Sequence, residues 1–189
     1  MTLRADDDVI SLTILRRSGA TPDEREAYLR AAPWKGNDNT PTLDAGRMLE
    51  MAEREQFIIT VCANGYGKLS SAYEYRRTGR GGQGITNIDL SGKFGERNGP
   101  VLASFPVKHG EQIMLVTDQA KLIRLPIELK SRDDEGEGRE GLGIKGRNTA
   151  GMRLFKVAEN EHVVSAARIA ADTDEDGGSD GADGAETDA

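Results

Sequence analysis

Short apolar runs separated by turn residues dominate the second half of the chain, and several alternate with polar positions as half-buried strands do. Runs of strand length occur at 8–16, 57–62, 100–107, 111–117 and 162–169. Asn64-Gly65 follows one of them, and this dipeptide readily takes the positive φ angles of a two-residue hairpin turn. The pattern predicts an all-β domain with a hairpin at this turn.

The pattern becomes helical between residues 17 and 56. Thr21 can cap a helix, Pro22 suits its first position and Glu24 lies three residues after the cap, which predicts a helix from Pro22 to about Ala32. A weak apolar face over 43–55 predicts a second helix. We interpret 17–56 as an inserted helical hairpin, and the sequence leaves a docking role and a connector without function equally open.

The strand-rich part of the chain repeats itself. Residues 55–61 align with 111–117, which divides this part into one blade at 57–110 and a final blade at 111–169. Residues 1–16 match the end of a unit and are predicted to be the remnant of a preceding blade. Repeated units of roughly 50 residues built from short strands are typical of propellers, whose blades share their core with neighbours. The predicted fold class is therefore all-β, a partial propeller of about two blades plus a fragment.

Acidic residues are concentrated in two segments. Residues 131–142 form an acidic, glycine-rich insertion in the final blade, which predicts a solvated loop. Residues 170–189 hold eight acidic and no basic side chains and no apolar residue larger than alanine, which predicts a disordered tail. The formal net charge is -7, yet residues 57–169 carry 17 basic and 13 acidic side chains. The strand-rich part is therefore compatible with a polyanionic partner.

Basic residues lie in glycine-rich loops and at strand ends, where the backbone can approach a phosphate and a guanidinium can reach it. Arg80 and Arg147 occupy equivalent positions of the repeat, and Lys68 matches Lys121 and Arg124. We predict that such cations follow one another along double-stranded DNA and neutralise phosphates without reading bases. A solvated rim without a partner is the alternative. The predicted DNA-binding residues are Lys68, Arg76, Arg77, Arg80, Lys121, Arg124, Lys145, Arg147 and Arg153.

Four motifs in a fixed order carry a resemblance to a known family, at 59–68, 74–85, 111–126 and 146–154. They resemble the last blades of the C-terminal domain of the DNA gyrase A protein, part of a bacterial type IIA topoisomerase. The resemblance covers the chain except for the helical insertion and the acidic tail. It implies a β-pinwheel, a propeller variant with about six blades in the intact domain, around whose basic rim DNA wraps. Wrapping would support ATP-dependent negative supercoiling by the whole enzyme.

Two departures limit what this resemblance carries over. The family's box, Gln-Arg-Arg-Gly-Gly-Lys-Gly, is matched at 78–84 only by its second arginine and three glycines. The family's catalytic tyrosine belongs to an N-terminal breakage domain without a counterpart here, so no catalytic residue and no DNA cleavage by this chain alone are expected. Because Met1 falls inside a repeat, the sequence leaves a split or truncated reading frame open.

The resemblance also implies partners. The intact enzyme would join this piece to the rest of the gyrase A protein and to the gyrase B protein, and would use ATP and Mg²⁺ elsewhere. Two alternatives stay open at this point. One is the corresponding piece of the topoisomerase IV A protein, and the other is a non-enzymatic adaptor that binds proteins through exposed blade edges and the helical insertion.

Other kinds of site lack their full residue set. Residues 79–84 have the G-x-G-x-x-G spacing, but the strand-like run 85–90 follows where a dinucleotide site needs a helix, so no cofactor is predicted. Two histidines and Cys62 are too few for a zinc site, and no metal is predicted. Neither a membrane span nor a signal peptide is visible, and a single cysteine suits a reducing compartment, so a cytoplasmic protein is expected. The resemblance implies that it is associated with the nucleoid.

Overall fold

The computed structural model describes residues 7–32, 34, 41–82, 84–129 and 142–170. The predicted tail at 170–189 and the acidic loop at 131–142 lie outside the described residues, apart from Ala170 and Leu142. The helices are α1 (Pro22–Arg30), α2 (Ala45–Arg54) and α3 (Lys93–Asn98), with a short 3-10 turn at Ala72–Glu74. The strands are β1 (Phe57–Cys62), β2 (Tyr66–Ser71), β3 (Val101–Val107), β4 (Gln112–Thr117), β5 (Leu122–Pro126), β6 (Met152–Arg153) and β7 (Val163–Ile169).

The strands form two antiparallel sheets. The first sheet has the order β3-β1-β2-β6, and the second has the order β5-β4-β7. Each is a blade-sized sheet built on one hairpin, which confirms the predicted all-β fold with about two blades. Neither sheet closes into a barrel within the described residues. None of the helices in this part of the chain combines the length and the apolar character that a bilayer crossing requires.

The hairpin between β1 and β2 turns where the sequence predicts, but not with the predicted geometry. Gly65 has φ +77°, whereas Ala120 and Asn160 are the only described non-glycine residues with positive φ, so Asn64 does not share this conformation. The Gly65 N–H donates to the Cys62 carbonyl at 3.2 Å. This is a type I turn followed by a left-handed glycine, the usual form of a three-residue hairpin loop. The two-residue turn predicted from Asn64-Gly65 is therefore wrong.

The repeat is real, but its register differs by one residue from the alignment made on sequence. The Ala63 N–H donates to the Pro100 carbonyl in the first unit, as the Asp118 N–H does to the His162 carbonyl in the second. Ala120, with φ +59°, closes the second hairpin as Gly65 closes the first. Phe57 therefore corresponds to Gln112 rather than to Ile113. Because side chains alternate along a strand, a shift of one residue exchanges the two faces of the sheet.

The corrected register explains how the two sheets share one core. Phe57, Ile59 and Val61 lie on one face of β1, and they belong to the same buried cluster as Ile113 and Leu115 of β4. In the repeat, those β4 residues correspond to the opposite face of β1. One face of the first unit therefore packs against the opposite face of the second unit, as in a stack of propeller blades. Each fully buried Ile or Leu stabilises this stack by roughly 1.5–3 kcal/mol.

The second unit also supplies a strand to the first sheet. Met152 of β6 pairs with Gly67 of β2. Just before it, Ile144 forms a bridge with Leu69, and the Lys145 N–H donates to the Leu69 carbonyl at 2.7 Å. The predicted division of the chain at 110/111 therefore does not coincide with sheet membership. The outer edge of the first sheet is built by residues that lie between two strands of the second.

The helical insertion packs on the end of the first sheet. Both helices are confirmed, with a capping box at Thr21 and an Asp44 cap on α2. Tyr28, Met51 and Tyr73 form a second buried cluster, in which the rings of Tyr28 and Tyr73 meet edge to face at 5.2 Å. This contact packs the insertion against the end of the first sheet.

Glu55 ties the insertion to the sheet through its carboxylate. It accepts hydrogen bonds from Tyr28 Oη at 2.7 Å, Trp34 Nε1 at 3.2 Å and Ser71 Oγ at 2.5 Å. Burial raises the pKa of this carboxyl, and the hydrogen bonds from Ser71, Tyr28 and Trp34 oppose that shift. A buried carboxyl with three donors is a costly group to leave unpaired, so this junction is specific.

Two segments predicted as strand-like have no strand. Residues 8–16 are extended without ladder pairing, and Leu12 and Ile14 are 87% and 86% exposed. This segment meets the sheet through side chains, with Ser11 Oγ donating to the Ser104 carbonyl at 2.9 Å. The Arg16 N–H and carbonyl also bond to the side-chain amide of Gln56, each at 3.0 Å. A strand needs a ladder of backbone partners, which such side-chain contacts do not replace. Residues 85–90 are also irregular and lead into α3, which the sequence pattern did not predict.

Candidate nucleic-acid interface

An exposed loop at residues 76–82, here called the arginine loop, follows the 3-10 turn after β2. Arg76, Arg77 and Arg80 are all exposed in it. Two tyrosines anchor its start, because Tyr73 Oη donates to the Met51 carbonyl at 2.9 Å and Tyr75 Oη bonds to Asn87 Oδ1. The packed tyrosines hold the base of the loop, and the three guanidinium groups project from it toward solvent.

A second loop, at residues 145–151 and here called the return loop, packs against the first. The Arg147 N–H donates to Glu74 Oε2 at 2.5 Å, and the Arg147 guanidinium donates to the Thr86 carbonyl. Ser70 Oγ donates to the Lys145 carbonyl at 2.8 Å. The Lys145 side chain is exposed and Arg147 is half-buried. Residues from both units of the repeat therefore meet on one edge of the first sheet.

Lys68 does not lie on the surface, in contrast to its predicted place on a cationic rim. Its side chain is fully buried, and its ammonium donates to the carbonyls of Gly146, at 2.8 Å, and Arg147. Burial lowers the pKa of Lys68 to about 8, and the charge of Glu74 opposes this shift. When the two hairpins are superimposed by their registers, Lys68 is equivalent to Ile123 of the second unit and not to Lys121 or Arg124. The predicted equivalence is therefore also wrong. Lys68 therefore fixes the backbone of the return loop at Gly146 and Arg147.

A tyrosine joins two more arginines at the hairpin end of the first sheet. The Arg153 guanidinium donates to Tyr66 Oη at 2.9 Å and lies 5.4 Å from the centre of its ring. The Arg97 guanidinium lies 4.6 Å from the same ring. Arg153 was predicted as a DNA-binding residue and is exposed. Arg97 was missed because it belongs to α3, for which the apolar pattern gave no signal.

The predicted cations of the second sheet stand apart from this group. Lys121 Nζ lies 2.6 Å from Glu161 Oε2, and the Glu161 side chain is only 1% exposed. Lys121, together with the Ala158 N–H and Thr117 Oγ1, lowers the pKa of Glu161 to about 2. Arg124 is exposed on β5, an edge strand of the second sheet. The Lys121 charge is thus committed to a buried carboxylate, and Arg124 is the freer cation of the two.

A groove of about 650 Å³ runs between α1 and the two loops, and is here called the arginine groove. Arg25 crosses it, donating from Nη1 to the Tyr75 carbonyl at 3.3 Å. The sequence gave no reason to place helix α1 beside these loops, so Arg25 and Arg30 were missed as site residues. The groove is lined by Pro22, Arg25, Glu26, Leu29, Arg30, Tyr73, Glu74, Arg76, Gly146, Arg147, Asn148 and Thr149.

This arrangement suits phosphate binding. Five of the predicted cations lie on the two loops, and Arg153 follows them directly on β6. Guanidinium groups form paired, charge-assisted hydrogen bonds with phosphate oxygens. Beside them in the arginine loop, no atom of the described residues, apart from the chain neighbours, lies within 4 Å of a Cβ placed at Gly79 or Gly81, so the backbone there is open. A surface of this kind can hold a polyanion by its charge without distinguishing bases.

Comparison with known families decides what kind of domain carries this surface. A family model described as "DNA gyrase C-terminal domain, beta-propeller" matches residues 56–102, 111–129 and 141–170. The matched segments make up just over half of the chain. The chain belongs to this family. Both loops lie within the matched segments of the gyrase C-terminal domain, whereas α1 and α2 lie outside them.

The curated relatives are A subunits of DNA gyrase. The one from Rickettsia conorii is 41% identical over 190 residues, covering 93% of this chain and 19% of the relative. The one from Granulibacter bethesdensis is 40% identical over 187 residues, covering 87% and 18%. That of Haemophilus influenzae is 38% identical over 128 residues, covering 68% and 13%. This gyrase C-terminal domain chain therefore spans about a fifth of the length of the relatives it matches.

A solved structure matches more distantly. The crystal structure of the C-terminal domain of DNA topoisomerase IV has a TM-score of 0.44 and 19% sequence identity, covering 61% of this chain and 30% of that chain. The family model and the curated relatives confirm the resemblance to the gyrase A protein that the four motifs indicated. They do not favour the topoisomerase IV alternative.

Proposed function

We propose that this chain binds double-stranded DNA through phosphate contacts along the outer edge of its first sheet. Membership of the gyrase C-terminal domain family gives the class of partner, and the clustered guanidinium groups of the arginine loop carry the proposal. Arg76, Arg77 and Arg80 are exposed together beside Arg147 and Lys145 of the return loop. Binding of this kind depends on charge and is indifferent to base sequence.

The proposed setting is the intact gyrase, in the cytoplasm and associated with the nucleoid. There the chain would join the rest of the gyrase A protein and the gyrase B protein, and a duplex bent along its edge would support ATP-dependent negative supercoiling. Bending a duplex over a few helical turns costs several kcal/mol, so many phosphate contacts are needed to offset it. The chain alone is proposed to bind DNA and not to cleave it.

Binding measured against salt concentration tests this proposal. The full chain is titrated into labelled duplexes of two unrelated sequences, and the affinity is followed by fluorescence anisotropy. We expect equal affinities for the two sequences and a linear fall of log affinity with log salt, with about 0.9 of slope for each phosphate contact. A lack of binding, a strong sequence preference or an affinity insensitive to salt overturns the proposal.

A charge-matched pair of variants locates the contacts. The triple substitution R76Q/R77Q/R80Q should make the slope shallower by up to about 3, because each lost contact removes about 0.9. The control R16Q/R17Q/K108Q removes three exposed cations outside the two loops and should leave the slope near that of the wild type. Equal effects of the two triple variants would show that only the net charge matters.

A further inference from the structure

Helix α1 of the insertion faces the two loops that carry the proposed DNA contacts. Arg25 of α1 donates to the carbonyl of Tyr75, the residue immediately before Arg76. Arg30, in the last turn of α1, lines the arginine groove together with Arg76 and Arg147. The insertion is thus a wall of this groove, although it lies outside the segments that match the family.

The charges on this wall are arranged unevenly. Four arginines and two glutamates line the groove, so its lining has an excess of positive charge. On the side toward α2, Arg47 bonds to Glu24 at 2.8 Å and to Glu50 at 2.5 Å, so its charge is used within the insertion. On the groove side, Arg30 pairs with Glu26, and both side chains are about two-thirds exposed. An exposed pair of this kind is weak, and a phosphate is a stronger partner for an arginine than a single carboxylate.

We propose that α1 forms part of the DNA-binding surface, with a backbone phosphate held in the arginine groove between Arg30 of the helix and Arg76 and Arg147 of the loops. This inference rests on the proposed function and extends it to the helical insertion. The insertion then acts as an added cationic wall that lengthens the path of the duplex. The overall charge of the insertion does not explain this role, because residues 17–56 together hold six basic and eight acidic side chains. The role depends on where the arginines of α1 lie.

The two helices offer a matched pair of arginines for the test. Arg30 and Arg54 are each the basic residue in the last turn of their helix. Each pairs with a glutamate four residues earlier, Arg30 with Glu26 and Arg54 with Glu50, and each is more than half exposed. Arg54 is not among the residues that line the groove. The variants R30Q and R54Q therefore remove the same charge from the last turn of a helix, one inside the groove and one outside.

We expect R30Q to weaken DNA binding several-fold at low salt and to make the salt slope shallower by about 0.9, with R54Q close to the wild type. Removing a negative charge from the groove should instead strengthen DNA binding. E26Q removes a carboxylate from the groove and should tighten binding, whereas E50Q should not. Far-UV circular dichroism of each variant checks that the helices are intact.

The outcomes separate this inference from the proposed function. If the wild-type chain binds DNA but R30Q and R54Q behave alike, the inference about α1 is overturned and the proposed function stands. Equal tightening by E26Q and E50Q has the same meaning, because it reports net charge and not position. If the wild-type chain does not bind DNA in a salt-dependent way, the proposed function itself fails.

Discussion

The ammonium group of Lys68 lies 2.8 Å from the carbonyl oxygen of Gly146 and also donates to the carbonyl of Arg147. These two residues belong to the return loop, whereas Lys68 lies on β2 of the first sheet. A buried cation therefore fixes the backbone of a loop whose own side chains are cationic. Glu74 completes the arrangement by accepting the Arg147 N–H.

The substitution K68M should destabilise the chain by about 2–3 kcal/mol, because it keeps the apolar stem but leaves two carbonyls without their charged donor. Urea denaturation followed by circular dichroism measures this change. K145M is the matched control, since Lys145 is a lysine of the same region with an exposed side chain, and its cost should stay below about 0.5 kcal/mol. Equal losses for the two variants would show that the Lys68 contacts contribute nothing specific.

Local signals in the sequence predicted the elements well. The cap at Thr21 with Glu24 three residues later fixed the start of α1, and the glycine after Asn64 fixed the position of the hairpin. Such signals act within a few residues, so a single sequence contains all the information they need. Residues 8–16 show the limit, because their alternation is genuine but the partner strand that would make them a strand is not supplied by the described residues.

The candidate site depended on contacts between distant parts of the chain, and these were harder to predict. Lys68 resembles a surface cation until the return loop, almost 80 residues later, covers it. Arg25 and Arg97 join the cationic surface only because α1 and α3 pack beside the first sheet. Register was lost for a related reason, since two apolar strands of equal length align almost equally well when shifted by one residue.

Gly65 and Ala120 occupy equivalent positions in the two hairpins, and exchanging glycine and alanine there should change the stability in opposite directions. Gly65 has φ +77°, and a Cβ there would lie 2.7 Å from the Phe155 carbonyl oxygen, so G65A should cost more than about 2 kcal/mol. Ala120 holds φ +59° at an exposed position, so A120G relieves strain and should stabilise by about 0.5–1 kcal/mol. Thermal and urea unfolding of both variants measure the difference. A destabilised A120G would show that its turn is not strained.

Glu161 predicts how the stability responds to acid. Its pKa is about 2 in the folded chain, below the ordinary value of 4.5, because Lys121, the Ala158 N–H and Thr117 favour the charged form. A lowered carboxyl pKa contributes stability that is complete above pH 4.5 and is lost as the pH falls toward 2. E161Q should therefore flatten the fall in unfolding free energy across this range. Some dependence should remain, because Arg47 lowers the pKa of Glu24 to about 2 as well.

The control for this prediction is E159Q, which changes a nearby exposed glutamate. Its unfolding free energy should follow the wild-type curve across the acid range. Urea midpoints collected at several pH values compare the three proteins. If the curve of E161Q is the same as that of the wild type, Glu161 does not contribute to the acid response.

Variants of Arg153 and Tyr66 distinguish a residue that contacts phosphate from a residue that positions the contacting side chain. Arg153 donates to Tyr66 Oη at 2.9 Å, and its guanidinium lies 5.4 Å from the ring centre, so the tyrosine restricts where this charge can go. Under the proposed function, R153Q removes a phosphate contact and should make the salt slope shallower by about 0.9. Y66F keeps the ring and the charge but removes the hydroxyl, so it should weaken DNA binding by about twofold or less and leave the slope unchanged, because no phosphate contact is lost. Anisotropy titrations at four or more salt concentrations distinguish a change of slope from a parallel shift, and a shallower slope for Y66F would contradict the positioning role.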